Sequence, residues 1–140
     1  MRRRFLQTVL GVTAGMWAAR GRASAAQAAG GDVKAVEVFA ISELLDQQAA
    51  SGKPWLPFLK VPSLYCGMYV LQAGADDPQN PHQDDEVYYV ESGRGKIRVN
   101  GDDHEAVPGG IIFVKAGAAH KFHSIEEDLK LLVFFSSTKA

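Results

Sequence analysis

Two histidines and one glutamate are spaced in a way that could hold a metal ion. His82 and Glu86 lie four positions apart, and His120 follows later in the chain. Imidazole nitrogen and carboxylate oxygen are ligands that divalent first-row metals accept. Because side chains alternate between the two faces of a strand, positions 86 and 88 point the same way, as do 120 and 122. In a closed barrel that shared direction is the interior.

A barrel interior is normally apolar, so these polar side chains need a partner there. Burying an ionised Glu86 alone is costly, whereas a divalent cation turns that cost into binding. Two imidazoles and a carboxylate from separate strands form a facial set that leaves positions for water, substrate or dioxygen. The sequence therefore predicts a divalent metal ion, Fe, Mn, Ni or Zn, among which the ligand types do not choose.

The elements that must position these ligands are short β-rich runs separated by turns, from residue 61 onward. Such even spacing favours a barrel or a sandwich. Asn100-Gly101 predicts a two-residue hairpin turn. The predicted strands are 63–71, 86–91, 95–99, 111–114, 120–125 and 130–135.

Residues 33–60 are predicted to form an arm that precedes the barrel. Residues 33–39 alternate weakly, which favours an edge strand, and residues 42–50 followed by Gly52 predict one short helix.

A stiff apolar segment ends this arm. Pro54 and Pro57 exclude a central strand. We therefore expect Trp55 and Phe58 to seal the barrel mouth or a subunit contact.

The first 25 residues predict an export signal. Stacked arginines precede an uncharged, mostly apolar run over 8–19, which is too short to span a bilayer. The opening resembles the twin-arginine signal R-R-x-F-L-K, with Gln7 in place of Lys. Cleavage is expected after Ala25, followed by a flexible leader over 26–32. The mature protein is thus predicted to be periplasmic or extracellular, without a membrane anchor.

The net charge of the protein limits the kinds of molecule that it is expected to bind. Of the 15 Lys and Arg, five arginines lie in the predicted signal with no acid, which leaves 10 basic residues against 16 acidic and a net charge near −6. Without a basic stripe no nucleic-acid partner is expected, and an acidic surface disfavours anionic membranes.

Cys66 is the only cysteine, so no intrachain disulfide forms, and a small buried hydrophobe is its expected role.

The spacing of glycines and ligands resembles the two motifs of the cupin family. The first motif is G-x5-H-x-H-x3,4-E-x6-G, and it is matched by Gly74, His82, Glu86 and Gly93. Asn80 stands where its first histidine is usual. The second motif is G-x5-P-x-G-x2-H-x3-N, and it is matched by Gly109, Gly117 and His120, with Lys115 for Pro and Ser124 for Asn.

This resemblance implies an all-β fold, a single double-stranded β-helix (cupin or jelly-roll) barrel over 61–140 with one short N-terminal helix. It also implies a homodimer, with 33–60 as the contact. The fourth ligand stays open between the amides of Asn80 and Gln79, since small cupins with a similar D-x-Q-x-P-H stretch are familiar. A degenerate cupin that binds no metal is the alternative, because Asn80 removes one strong ligand.

Side chains in phase with the ligands suggest a substrate pocket. Tyr88 and Phe122 are expected to line it, with plain filling of the barrel as the commoner alternative for such residues. Tyr88 is the candidate for catalysis because its buried hydroxyl needs a partner. Asp84 is a solvated turn acid or lies just behind the ligands, and Asp85 is expected in a solvated turn. His104 and His123 are expected at the surface.

Three functions are compatible with such a site. The first is a metal-dependent enzyme of the oxygenase or dioxygenase type acting on a small organic substrate. The second is a non-redox isomerase, epimerase or lyase in which Tyr88 or a carboxylate moves a proton. The third is a non-catalytic module that binds or senses a metal or a small ligand.

Overall fold

The computed structural model describes residues 34–137. The predicted signal peptide over 1–25 and leader over 26–32 lie outside these residues. Within the described part, no helix combines the length and apolar character needed to cross a membrane.

One helix and six strands make up this part of the chain. They are α1 (Ile41–Ser51), β1 (Trp55–Val61), β2 (Leu64–Leu71), β3 (Glu86–Val99), β4 (Asp102–Ala106), β5 (Ile111–Val114) and β6 (His120–Ser136). All strand pairs are antiparallel, in the order β1-β2-β6-β3-β4, and β5 pairs with β3. The predicted fold class, a jelly-roll β-barrel with one short helix, is confirmed.

Two strands are longer than predicted. Residues 86–91 and 95–99 belong to the single strand β3, and residues 120–125 and 130–135 belong to β6. The intervening Ser92-Gly93-Arg94-Gly95 has the composition of a turn, but here β3 continues through it with register shifts against β6. Such bulges let a strand bend without ending.

The hairpin predicted at Asn100-Gly101 is confirmed. Val99 pairs with Asp102 across it, and both turn residues have positive φ, 50° and 100°. Positive φ at both central residues defines the type I′ turn, which matches the twist of the flanking strands.

The core lies inside the curved sheet and is formed by alternating residues of the strands. Inward positions of β3 and β6, such as Val90, Ile97 and Leu131, are fully buried. The buried cluster consists of Tyr69, Leu71, Tyr88, Val90, Ile97, Ala106, Val114, Phe122, Ile125, Leu129, Leu131 and Val133. Cys66 is buried, as expected, with 1% of its surface exposed, although it is not part of this cluster.

The arm differs from its prediction in one respect. The helix predicted over 42–50 is confirmed as Ile41–Ser51, and it ends at Gly52, which has a φ of 65°. The edge strand predicted over 33–39 is wrong for the residues described, because 34–40 pair with no strand. The sheet edge is occupied instead by β1, which pairs with β2 alone.

The position of β1 agrees with its prolines. Pro57 lies on this edge strand, where a missing N–H donor is tolerated, and the register shifts between Pro57 and Leu59. Trp55 faces the cavity described below, whereas Phe58 packs edge to face on Phe39 of the arm at 4.9 Å between ring centroids. Trp55 therefore meets the expectation for the barrel mouth and Phe58 does not.

Candidate metal centre

The structure brings His82, Glu86 and His120 together. One potential ligand atom from each lies within 4.8 Å of the others. Nε2 of His120 is 3.2 Å from Oε2 of Glu86, and Nε2 of His82 is 3.9 Å from the same oxygen. Ligand atoms that share one ion at about 2.1 Å lie roughly 3.0–3.4 Å apart, so the geometry fits a small divalent cation after a slight approach of His82.

Glu86 is the buried carboxylate at the first position of β3. Its side chain is 2% exposed, and among the described residues its Oε2 is the buried side-chain atom that has no hydrogen-bond partner. A carboxylate oxygen buried in this way is costly unless a cation meets it. This buried oxygen without a hydrogen-bond partner is the feature of the structure that most favours a bound metal ion.

His120 is held in the orientation that a metal ligand needs. Its Nδ1 lies 2.8 Å from the carbonyl oxygen of Ala118, which can only accept, so Nδ1 carries a proton and Nε2 points at Glu86. Without an ion, the Glu86 carboxylate 3.2 Å from Nε2 raises the pKa of the His120 imidazole, although burial opposes the shift. A cation at this place would take the role of that proton.

His82 lies in the loop before β3, so the expectation that each ligand comes from a separate strand is wrong for this residue, and the loop is anchored by the second motif. The N–H of Gly117 donates a 2.7 Å hydrogen bond to the carbonyl oxygen of His82. Asp85 adds a second tie, because its Oδ1 accepts from the N–H of Ala116 at 2.9 Å. Asp85 therefore joins the two motif loops, rather than standing as the solvated turn acid expected from sequence. The His82 side chain is 33% exposed and lies on the open side of the cluster.

Gln79 extends the cluster with a fourth potential donor atom, its amide oxygen. Its Oε1 is 3.3 Å from Nε2 of His82 and accepts a 2.9 Å hydrogen bond from the Tyr88 hydroxyl. Asn80, the alternative, is exposed and lines a second cavity that includes His120. Of the two amides left open by the sequence, the structure thus brings Gln79 to the ligands, and its ligand role stays a prediction.

Asp77 orients Gln79 and was missed by sequence reasoning. Its Oδ2 accepts from Nε2 of Gln79 at 2.7 Å and from the N–H of Phe122 at 2.8 Å. Its Oδ1 accepts from the Tyr69 hydroxyl at 2.6 Å and from the N–H of Gln79 at 3.0 Å. Because a carboxylate only accepts, it fixes which end of the Gln79 amide faces the histidines. The available signal was its place as the first residue of the D-x-Q-x-P-H stretch.

Tyr88 is fully buried behind the ligands. Its hydroxyl lies 3.1 Å from Nε2 of His120 and donates to Gln79. Burial, and then the charge of Glu86, raises the pKa of Tyr88 well above its ordinary value, so the hydroxyl stays protonated. Tyr88 and Phe122 belong to the buried core and do not line the cavity beside His82 and Glu86, which agrees with the barrel-filling alternative; Phe122 also lines the second cavity, with His120.

That cavity has a volume of about 560 Å³ and opens beside the cluster. Asp84, expected to be a solvated turn acid or to lie just behind the ligands, lines this cavity. Its lining residues are Trp55, Tyr65, Tyr69, Pro78, Gln79, Pro81, His82, Gln83, Asp84, Glu86, Val133 and Phe135.

The remaining histidines lie away from the ligands, as expected. His104 is exposed on β4. Nε2 of His123 lies 3.0 Å from Oδ1 of Asp103, which also forms an ion pair with Arg98. This surface network lowers the pKa of Asp103, chiefly through the hydrogen bond from Arg98.

Comparison with known proteins places the fold and motifs in one family. Residues 67–135, which include all three ligands, match the family described as Cupin domain. An uncharacterized protein of Streptomyces coelicolor is 44% identical over 101 residues, which cover 72% of this chain and 96% of that protein.

Solved structures share the architecture at low sequence identity. A Thermus thermophilus protein superimposes with a TM-score of 0.61 and 24% identity, over 72% of this chain and 97% of that one. A salicylate 1,2-dioxygenase variant from Pseudoaminobacter salicylatoxidans, solved in complex with gentisate, gives a TM-score of 0.56 and 19% identity over 69% of this chain. The match spans only 30% of the dioxygenase chain, and identities this low show the fold alone. The domain match and the jelly-roll barrel agree, and this chain therefore carries a domain of the cupin family over residues 67–135.

Proposed function

We propose that this protein is a metal-dependent cupin enzyme of the oxygenase type that acts on a small organic substrate. The observation that carries the proposal is the buried, unpartnered Oε2 of Glu86, which faces two imidazoles beside a cavity of substrate size. Cavities that combine apolar lining with a few convergent polar groups are the usual place for small ligands.

The donor set suits Fe, Mn, Ni or Zn, with His82, Glu86 and His120 as ligands and Gln79 as the fourth. When bound, such an ion supplies Lewis acidity or redox chemistry. The protein supplies the rest. Glu86 provides the negative charge, His120 is fixed in one tautomer by Ala118, and Gln79 is oriented by Asp77.

Tyr88 is proposed to act as a protonated hydrogen-bond donor beside the metal ligands. Its raised pKa keeps the hydroxyl protonated, so it donates a hydrogen bond and does not serve as a base. Replacement by Phe would remove that donor from the Gln79 oxygen while keeping the ring. We expect the variant to retain the fold and to bind the metal more weakly.

Oxygen consumption by metal-loaded protein tests the proposal. The full chain is reconstituted separately with Fe(II), Mn(II), Ni(II) and Zn(II), and oxygen uptake is followed with a panel of small aromatic and aliphatic substrates. Substrate-dependent uptake that disappears in Glu86→Ala supports an oxygenase. Substrate conversion without oxygen uptake indicates an isomerase, epimerase or lyase, and ligand binding without conversion indicates a binding or sensing module.

We also propose export by the twin-arginine route. The support is the sequence Arg2-Arg3-Arg4-Phe5-Leu6 and the small residues that precede position 26. Changing Arg2 and Arg3 to Lys together keeps the charge and alters the signal. Fractionation of cells should then find the chain retained in the cytoplasm, whereas unchanged export would refute this route.

A homodimer formed through the arm is proposed as well. Val36 and Val38 are 72% and 89% exposed, which is unusual for such side chains and favours a contact in the assembly. Sedimentation velocity of the full chain and of a Val36→Ser/Val38→Ser variant tests this. The proposal predicts a dimer that the variant weakens, and a monomeric full chain would contradict it.

A further inference from the structure

The cavity beside the metal ligands has an aromatic wall, which we define as Trp55, Tyr65, Tyr69 and Phe135. Trp55 packs edge to face on the three other rings, with centroid distances of 5.7 Å to Tyr65, 6.3 Å to Tyr69 and 6.0 Å to Phe135. Phe135 also lies 4.9 Å from the His82 ring, centroid to centroid. The aromatic wall therefore reaches the ligands directly.

The sheet register explains why these rings and the ligands share one surface. Tyr65 of β2 pairs with Phe135 of β6, and Phe135 pairs with Glu86 of β3. Residues opposite one another in adjacent strands point to the same face. A single row across three strands thus runs from the aromatic wall to the buried carboxylate.

Gly67 is the residue that lets Trp55 lie over the sheet. A Cβ at position 67 would stand 2.2 Å from the Trp55 ring, so any side chain there would displace the indole. The indole Nε1 also donates a 3.1 Å hydrogen bond to the Tyr65 hydroxyl. The position of Trp55 is therefore fixed by the close approach to Gly67 and by this hydrogen bond.

The second property of the cavity is that the charged side chains of its lining are acidic. Among the described residues that line it, two are acidic, Asp84 and Glu86, and none is Lys or Arg. Lys60 places Nζ 5.5 Å from the Tyr65 ring centroid, but it is exposed and does not line the cavity. A bound anion would thus find no lysine or arginine side chain there.

From these observations we infer that the cavity takes a small, flat, largely apolar ring that carries at most one anionic group. The inference rests on the proposed function for placing the substrate in this cavity. Flat rings pack well against offset or perpendicular aromatic side chains, and each such contact adds to the affinity. A second carboxylate or a phosphate would have to give up its water beside Asp84 without a compensating charge.

Two pairs of probes test the inference on the full chain by calorimetry. In metal-free protein, p-cresol is compared with 4-methylcyclohexanol, which has similar size and polarity but no flat ring. We expect p-cresol to bind about tenfold more tightly. In metal-loaded protein, benzoate is compared with isophthalate, and we expect isophthalate to bind at least about tenfold more weakly.

Variants link these preferences to the aromatic wall. Phe135→Leu should reduce the p-cresol preference to within about twofold of 4-methylcyclohexanol, whereas Phe113→Leu, at a side chain 62% exposed on β5, should keep it. Tyr65→Phe removes only the hydroxyl that holds Trp55 and should weaken the preference in part. If Phe135→Leu fails to fold, Tyr65→Phe tests the role of the aromatic wall in its place.

The outcomes separate the inference from the proposed function. Equal binding within each probe pair, in protein that binds metal, would overturn the inference and leave the metal centre intact. Absence of metal binding, with the p-cresol preference preserved, would overturn the proposed function and support the aromatic site. A preference that survives in Phe135→Leu and Tyr65→Phe would overturn the assignment to this wall.

Discussion

Nε2 of Gln79 donates a 2.7 Å hydrogen bond to Oδ2 of Asp77, a carboxylate that is only 3% exposed. This contact turns the amide oxygen of Gln79 toward His82 and Tyr88. Partners of this kind behind the ligands govern metal affinity, because they hold each ligand in its binding orientation. Asp77 thus fixes the orientation of Gln79 beside His82, Glu86 and His120, and we propose that it positions Gln79 for metal binding.

Asp77→Asn is expected to weaken metal binding by about 10-fold or more. An Asn at this position offers one acceptor oxygen instead of two, so the Gln79 amide loses its fixed orientation. Competition with a chromophoric chelator measures the affinity. Asp76→Asn, a change of the same kind at the exposed neighbouring residue, is the control and should leave the affinity unchanged. Equal affinities for the two variants would argue against the role of Asp77.

Gln79→Ala and Asn80→Ala distinguish the two amides. Because Oε1 of Gln79 lies 3.3 Å from Nε2 of His82 while Asn80 lines the other cavity, only the first change should reduce metal affinity. The same chelator competition gives the comparison, and unfolding curves check that both variants fold. A loss confined to Asn80→Ala would reverse the assignment.

Gly67→Ala should displace Trp55. The added methyl group would meet the indole ring at 2.2 Å, and such overpacking typically costs about 1–3 kcal/mol of the free energy of unfolding. Denaturant unfolding of the single variant and of Gly67→Ala/Trp55→Leu measures the cost. We expect the second change to recover part of the loss, since it removes the ring that clashes. Additive losses would mean that the two positions are not in contact.

The metal-free protein should lose stability as the pH rises. The nearby Glu86 carboxylate, 3.2 Å from Nε2, raises the pKa of His120 above its ordinary value of 6.5. A group whose pKa is higher in the folded state stabilises that state fully below the unfolded pKa, and this contribution is lost as the pH rises through the folded pKa. Thermal unfolding is measured in the presence of a chelator from about pH 6 upward, and the Tm should fall as the pH rises. In His120→Gln the Tm should depend less on pH. The same fall in both proteins would assign it to other groups.

The convergence of His82, Glu86 and His120 was predictable from sequence because two physical regularities agree there. Glu86 and His120 lie on strands, where alternation fixes their direction, and the glycine spacing of both motifs adds independent support. Tyr88 was expected inside the barrel for the same reason and is buried there.

Other parts of the site were not predictable because no regular element governs them. Asp77 and Gln79 lie outside the helices and strands, so their directions depend on contacts with Tyr69, Tyr88 and Phe122. The continuity of β3 was missed since its Ser-Gly-Arg-Gly stretch has turn composition, and only pairing with β6 keeps it extended.

The metal content of matched histidine variants tests whether His120, with His82 and Glu86, holds a metal ion. The full chain, His120→Ala and His123→Ala are purified in parallel, loaded with the same divalent metal, desalted and measured by elemental analysis. We expect about one ion per chain for the full chain and for His123→Ala, and almost none for His120→Ala. Equal metal content in all three proteins, with all three folded, would contradict it.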